Sequence, residues 1–92
     1  MVSMACRKNI QYPYNRPMSV FAKRIGAIIR KKRLSLGLSQ ESLAAVCGLN
    51  RSYVGEVERG SVEISAINLQ RIADGLNMKL SELIRLYEEK ND

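Results

Sequence analysis

Residues Ser39 to Gly60 read SQESLAAVCGLNRSYVGEVERG, and this stretch decides the fold. Ser39 is a helix N-cap type, with Glu41 in the first turn, where a carboxylate meets the positive end of the helix dipole. Leu43, Ala44 and Cys47 recur at helical spacing with Val46 flanking them, so they line one face. Gly48 supplies the positive φ that ends a helix at little steric cost. Leu49 then turns inward and Asn50 is the next N-cap. Val54 and Val57 face inward on a second short helix that stops at Gly60. Two short helices sharing an apolar seam across a glycine turn make a helix-turn-helix.

The rest of the chain follows outward from this unit. Upstream, Ser19 to Leu36 forms a first helix stopped by Gly37, with Phe21, Ile25, Ile29 and Leu36 on one face and Ile28 beside them. Lys23, Arg30, Lys31 and Lys32 occupy the other side. Arg33 lies four residues after Ile29 and so points at the core, where an unpaired charge costs several kcal/mol. Glu58, beside Val57, is its expected partner in a structural salt bridge. Residues 1–17 hold two prolines and no apolar period, and are expected to form a flexible basic arm carrying Arg7, Lys8 and Arg16. Downstream, a polar loop leads to a fourth helix starting at Ser65, with Ile67, Leu69, Ile72, Ala73 and Leu76. Asn77 takes the left-handed position after it. Ser81 caps a fifth helix bearing Leu83, Ile84, Leu86 and Tyr87. The fold class is therefore all-α, a compact five-helix bundle over 18–92.

Charge is unevenly placed in this chain of 92 residues and net charge +6. Up to Arg59 eleven Lys and Arg face three Glu, leaving +8; from Gly60 on, four basic and six acidic residues leave −2. Such asymmetry suits a polyanionic partner on one side of the domain. No apolar run approaches a membrane span, and the first residues lack the apolar core of a secretory signal. With no histidine and two cysteines, Cys6 and Cys47, there is no set of zinc ligands and no disulfide framework. A reduced, cytoplasmic protein is expected. Neither a phosphate loop nor a nucleophile motif is present, and the carboxylate pairs Glu56/Glu58 and Glu88/Glu89 do not converge on one cleft. The chain is read as a non-enzyme without cofactor, metal or evident small-molecule ligand.

A helix-turn-helix lays its second helix in the major groove. The outward set there is Arg51, Ser52, Gly55, Glu56 and Arg59. Arg51 has the fork that grips guanine O6 and N7, Ser52 bonds most bases, and Glu56 accepts from a cytosine amine. Tyr53 either touches a thymine methyl or a phosphate, or packs against the first helix. Gly55 costs helix stability; it either makes room for DNA or a neighbouring helix, or is merely tolerated. Gln40, in the first turn of the second helix, and Arg59, at the far end of the third, are expected at phosphates. Surplus apolar side chains at the end of the chain, Leu80, Leu83, Ile84 and Tyr87 with the fourth helix, invite a second copy.

These residues resemble the Cro/C1-type (XRE-like) helix-turn-helix regulators of bacteria and phage. The likeness runs through Ile29, Arg33 and Leu36, then GLSQESLA at 37–44 and GLNR at 48–51. Tyr53-Val54, Val57-Glu58-Arg59-Gly60, Leu69, Ile72-Ala73, Leu76 and LSEL at 80–83 complete it. The resemblance implies a lambda-repressor-like domain that binds an operator of two half-sites in double-stranded DNA as a homodimer and regulates transcription. It implies base reading at Arg51, Ser52 and Glu56, phosphate contacts at Gln40 and Arg59, and an Arg33–Glu58 pair. The stand-alone size is similar to small phage repressors or restriction–modification controllers. The alternative is a protein-interaction or antitoxin-like module that keeps the fold without reading DNA.

Overall fold

A computed structural model describes residues 19–89; the expected basic arm, residues 1–17, lies outside them. Among the described residues every regular element is a helix: α1 Val20–Ser35, α2 Gln40–Cys47, α3 Arg51–Arg59, α4 Ala66–Gly75 and α5 Leu80–Glu89. No helix of these is long and apolar enough to cross a membrane.

The helix starts are written in the sequence as side chains that satisfy first-turn N–H groups. The Ser19 hydroxyl accepts from the Ala22 N–H, Ser39 from Ser42, Asn50 from Ser52 and Ser65 from Asn68. Serines 19 and 65 are thus caps that stand just outside their helices. The fifth helix differs from expectation. It begins at Leu80, and Glu82 reaches back to accept from the Lys79 N–H at 2.8 Å. The acceptor three residues into the turn has taken the capping role, leaving Ser81 exposed within it.

Four helix ends close by one device. A residue in the left-handed region turns the chain, and the next N–H bonds a carbonyl five residues back. The bonds are Leu38 to Arg33, Leu49 to Ala44, Ser61 to Glu56 and Met78 to Ala73, at 2.9–3.1 Å. The turning residues are Gly37, Gly48, Gly60 and Asn77, with φ between 62° and 72°. Leu36 sits at this turn after α1, where the chain leaves the core face, and is 44% exposed rather than packed inside.

The core gathers Ile25 and Ile29 of α1, Leu43, Ala44 and Cys47 of α2, and Val54 and Val57 of α3. To these it adds Leu69, Ile72 and Ala73 of α4, Leu76 just beyond it, and Leu83 of α5. Phe21 and Leu49 pack at its margin. Helix α1 lies on α3 and α5, α2 on α3 and α4, and α4 on α5. Two of these crossings depend on a missing side chain. A Cβ at Gly26 would run into the Val57 and Glu58 carbonyl oxygens, so α1 meets the backbone of α3. A Cβ at Gly75 would run into the Cys47 sulfur and crowd the Val46 and Leu43 side chains, so here α4 receives side chains of α2. Ile67, by contrast, is 69% exposed on the outer face of α4.

Candidate nucleic-acid interface

Helix α3 buries one side and shows the other. Val54 and Val57 are 0% and 1% exposed. Arg51 and Ser52 stand exposed in the first turn, Glu56 is half-exposed one turn on, and Arg59 is exposed at the end. Among the described residues, no hydrogen bond or ion pair engages the side chains of Arg51, Glu56 or Arg59. A row of charges with a buried apolar back is ready to meet a ligand without rearranging the core.

What fixes α3 in place is polar and buried. Arg33 Nε donates to Glu58 Oε2 at 2.6 Å, and Nη2 donates to Oε1 at 2.9 Å. Arg33 Nη1 donates to the Leu38 carbonyl at 2.7 Å. The pair is 6% and 7% exposed, and the Glu58 hydrogen bond raises the Arg33 pKa against the opposing effect of burial. A bidentate guanidinium–carboxylate fork is among the stronger protein hydrogen bonds. It ties the α1 end, the α1–α2 turn and the α3 end to one another.

Gln40 enters this network. Its Nε2 donates to Glu58 Oε1 at 3.1 Å, so the half-buried side chain is held across the first turn of α2 toward α3. Gln40 and Arg59 come together over Gly55. A Cβ built there would lie 3.2 Å from Arg59 Nη1 and 3.6 Å from Gln40 Oε1. Gly55 itself is buried under these two side chains, and so leaves the outward set in which its sequence position placed it.

Tyr53 is also placed apart from the outward row. It is half-buried at the margin of the core, and its hydroxyl accepts from Asn68 Nδ2 at 3.1 Å. The partner of the hydroxyl thus stands on α4. Of the proposed self-association residues, Leu83 is 0% exposed within the chain's own core. Tyr87 lies against α1, its ring 5.0 Å from Phe21, with the Arg24 guanidinium 4.4 Å over it and bonded to the Tyr87 carbonyl. Leu80 and Ile84 remain partly exposed. Exposed Ile67 joins Leu80, Ala66, Gln70 and Arg71 around a shallow concavity of about 450 Å³. Helical spacing from Leu69, Ile72 and Ala73 puts Ile67 on the opposite side of α4, within the fourth-helix surface expected to invite a second copy. Gly26 was missed, its one signal being glycine in a helix interior.

Residues 29–83 match the protein family HTH_3, described as helix-turn-helix. The chain is 40% identical over 62 residues to the control protein C.MunI of Mycoplasma sp., covering 67% of this chain and 81% of that protein. It is 37% identical to the control protein C.BamHI of Bacillus amyloliquefaciens, over 64% of this chain and 74% of the relative. Among solved structures, the restriction-modification controller protein C.AhdI from Aeromonas hydrophila is 42% identical with a TM-score of 0.68. That match covers 71% of this chain and 98% of the controller. The controller C.Esp1396I, solved as a tetramer in complex with its natural 35 base-pair operator, is 28% identical with a TM-score of 0.73. It covers 77% of this chain and 93% of that one.

Proposed function

The chain belongs to the helix-turn-helix family, and from that premise we propose that it is a homodimeric, sequence-specific DNA-binding regulator of transcription, similar to the restriction–modification controllers. It acts by binding rather than by catalysis, in the cytoplasm where bacterial DNA lies. The observation that carries this reading is the outward row on α3, whose charges stand exposed above a rigidly seated helix.

In this reading α3 enters the major groove. Arg51 donates its fork to a guanine edge, Ser52 adds an adaptable hydroxyl, and Glu56 accepts from a cytosine amine while penalising misplaced phosphates. Gln40 and Arg59, side by side over Gly55, contact the phosphate backbone, which sets register rather than sequence. Tyr53 supports the recognition helix from the α4 side and takes no base. Two copies meet through Ile67, Leu80 and Ile84, whose apolar surface is left uncovered by the single chain, and present two α3 helices to two half-sites.

Selection from a random duplex pool tests this. The expected product is a pair of related half-sites about one helical turn apart, bound by two chains as measured by sedimentation. A pool in which no sequence is enriched would overturn the regulator reading. A complex carrying one chain would overturn the dimer.

A further inference from the structure

Glycine inside a short helix weakens it relative to alanine, so Gly55 in α3 calls for a physical reason. Four are available, and the structure separates them. Its backbone is not in the left-handed region, since the positive-φ glycines are 37, 48 and 60. Nor does another helix's backbone press on it. The nearest atoms to an added Cβ belong to the ends of the Arg59 and Gln40 side chains, whereas Gly26 faces carbonyl oxygens of α3. Nor is it an open notch into which DNA descends, because Gly55 is buried.

What remains is a slot roofed by two polar side chains. Arg59 reaches back one turn along α3, and its Nη1 lies 3.2 Å from where a Cβ would stand. Gln40 reaches across from α2 and brings its amide to within 3.6–3.8 Å of the same point. Gln40 is held from behind by Glu58, itself gripped by Arg33. Arg59 has no such anchor among the described residues. Its conformation over the helix depends on the space that Gly55 leaves.

We propose that Gly55 is a positioning residue: its absent side chain forms the slot in which Arg59 lies beside Gln40, so that the guanidinium and the amide N–H that Gln40 does not give to Glu58 address one phosphate of the DNA backbone. The proposal rests on the DNA-binding reading above and adds to it the residue that sets the geometry of the phosphate grip. A methyl group at 55 pushes the guanidinium away from the Gln40 amide. It leaves Gln40, the buried pair and the core in place.

The test is a cycle of four full-length proteins: wild type, Gly55→Ala, Arg59→Ala and the double variant. Each is titrated with a fluorescently labelled duplex of mixed sequence, which reads phosphate contacts without needing the operator, and each is melted. Gly55→Ala is expected to raise the melting temperature through helix propensity. It is also expected to weaken duplex binding on the order of tenfold, as for loss of one charge-assisted contact. In the Arg59→Ala background the same substitution is expected to change binding by less than about twofold, because the group it displaces is gone. Unchanged binding by Gly55→Ala overturns the proposal, as does a loss that persists at full size without Arg59. A lowered melting temperature overturns it too, because Gly55 would then be a packing glycine. If the wild-type chain itself ignores duplex DNA, the functional reading falls and takes this proposal with it, an outcome distinct from the other three.

Discussion

The two ends of α3 are both charged, and they use charge in opposite ways. At the C-terminal end Glu58 is buried and takes hydrogen bonds from two Arg33 nitrogens and from Gln40. At the N-terminal end Arg51 and Ser52 are exposed, and among the described residues no hydrogen bond or ion pair engages their side chains. Burial makes the first arrangement rigid and intolerant, because an ion left alone in a low-dielectric interior is costly. Exposure makes the second nearly neutral for folding and available to a partner. One nine-residue helix therefore has an end that fixes its pose and an end that is free to recognise.

The sharpest way to break this contrast is at the buried end. Glu58→Ala leaves Arg33 unpaired inside the domain and is expected to destabilise by about 3–5 kcal/mol. For a domain of this size that lowers the melting midpoint by well over about 10 °C, measurable by circular dichroism. An unchanged midpoint would mean that the pair does not hold α1 to α3.

Gly26→Ala probes the same seam without touching charge. Its Cβ would strike the α3 backbone, and overpacking of this kind costs roughly 1–3 kcal/mol. Denaturant midpoints would read it, and a variant as stable as the parent would show that the crossing can relax.

At the exposed end the pattern should reverse. Arg51→Ala is expected to leave stability within about 0.5 kcal/mol. It should weaken binding to the selected operator by about 1–3 kcal/mol and relax the preference at one base position. Arg59→Ala, removing the exposed charge at the opposite end of α3, should instead weaken binding to all duplexes alike and reduce the salt dependence by about one unit. If Arg51→Ala weakened every sequence equally, it would belong with Arg59 among the phosphate contacts.

The smallest effect concerns pH. Burial pushes the Cys47 thiol above its ordinary pKa, so the unfolded chain loses this proton at lower pH than the folded one. The contribution to stability is full below the unfolded thiol pKa and is lost as pH rises through the folded one. Melting at mildly alkaline pH should therefore fall slightly for the parent and less for Cys47→Ala, once the latter's constant loss of packing is subtracted. Equal pH slopes for the two proteins would remove the thiol from the account.

How much of this could be read from the chain depends on the range of the interaction involved. The α2–turn–α3 unit was legible residue by residue: Ser39 and Asn50 cap, Gly48 and Gly60 turn, and Leu43, Ala44, Cys47, Val54 and Val57 face inward. These features follow from hydrogen bonds and periodicity within a few residues. The candidate interface was legible in its exposed charges and not where a neighbouring element intervened. Tyr53 turned to Asn68 on α4, Leu83 entered the core, and Gly55 disappeared beneath Gln40 and Arg59.

The sequence by itself determined the five helices of the described residues, their stops, the apolar face of each and the surplus of positive charge up to Arg59. Helical spacing says on which side of a helix a residue stands, and caps say where the helix ends. Only the tertiary structure decided which helix lies against that side, and how closely. That is why Gly26, Gly55 and Gly75, alike as letters, serve a backbone crossing, a slot for two side chains and a seat for Cys47.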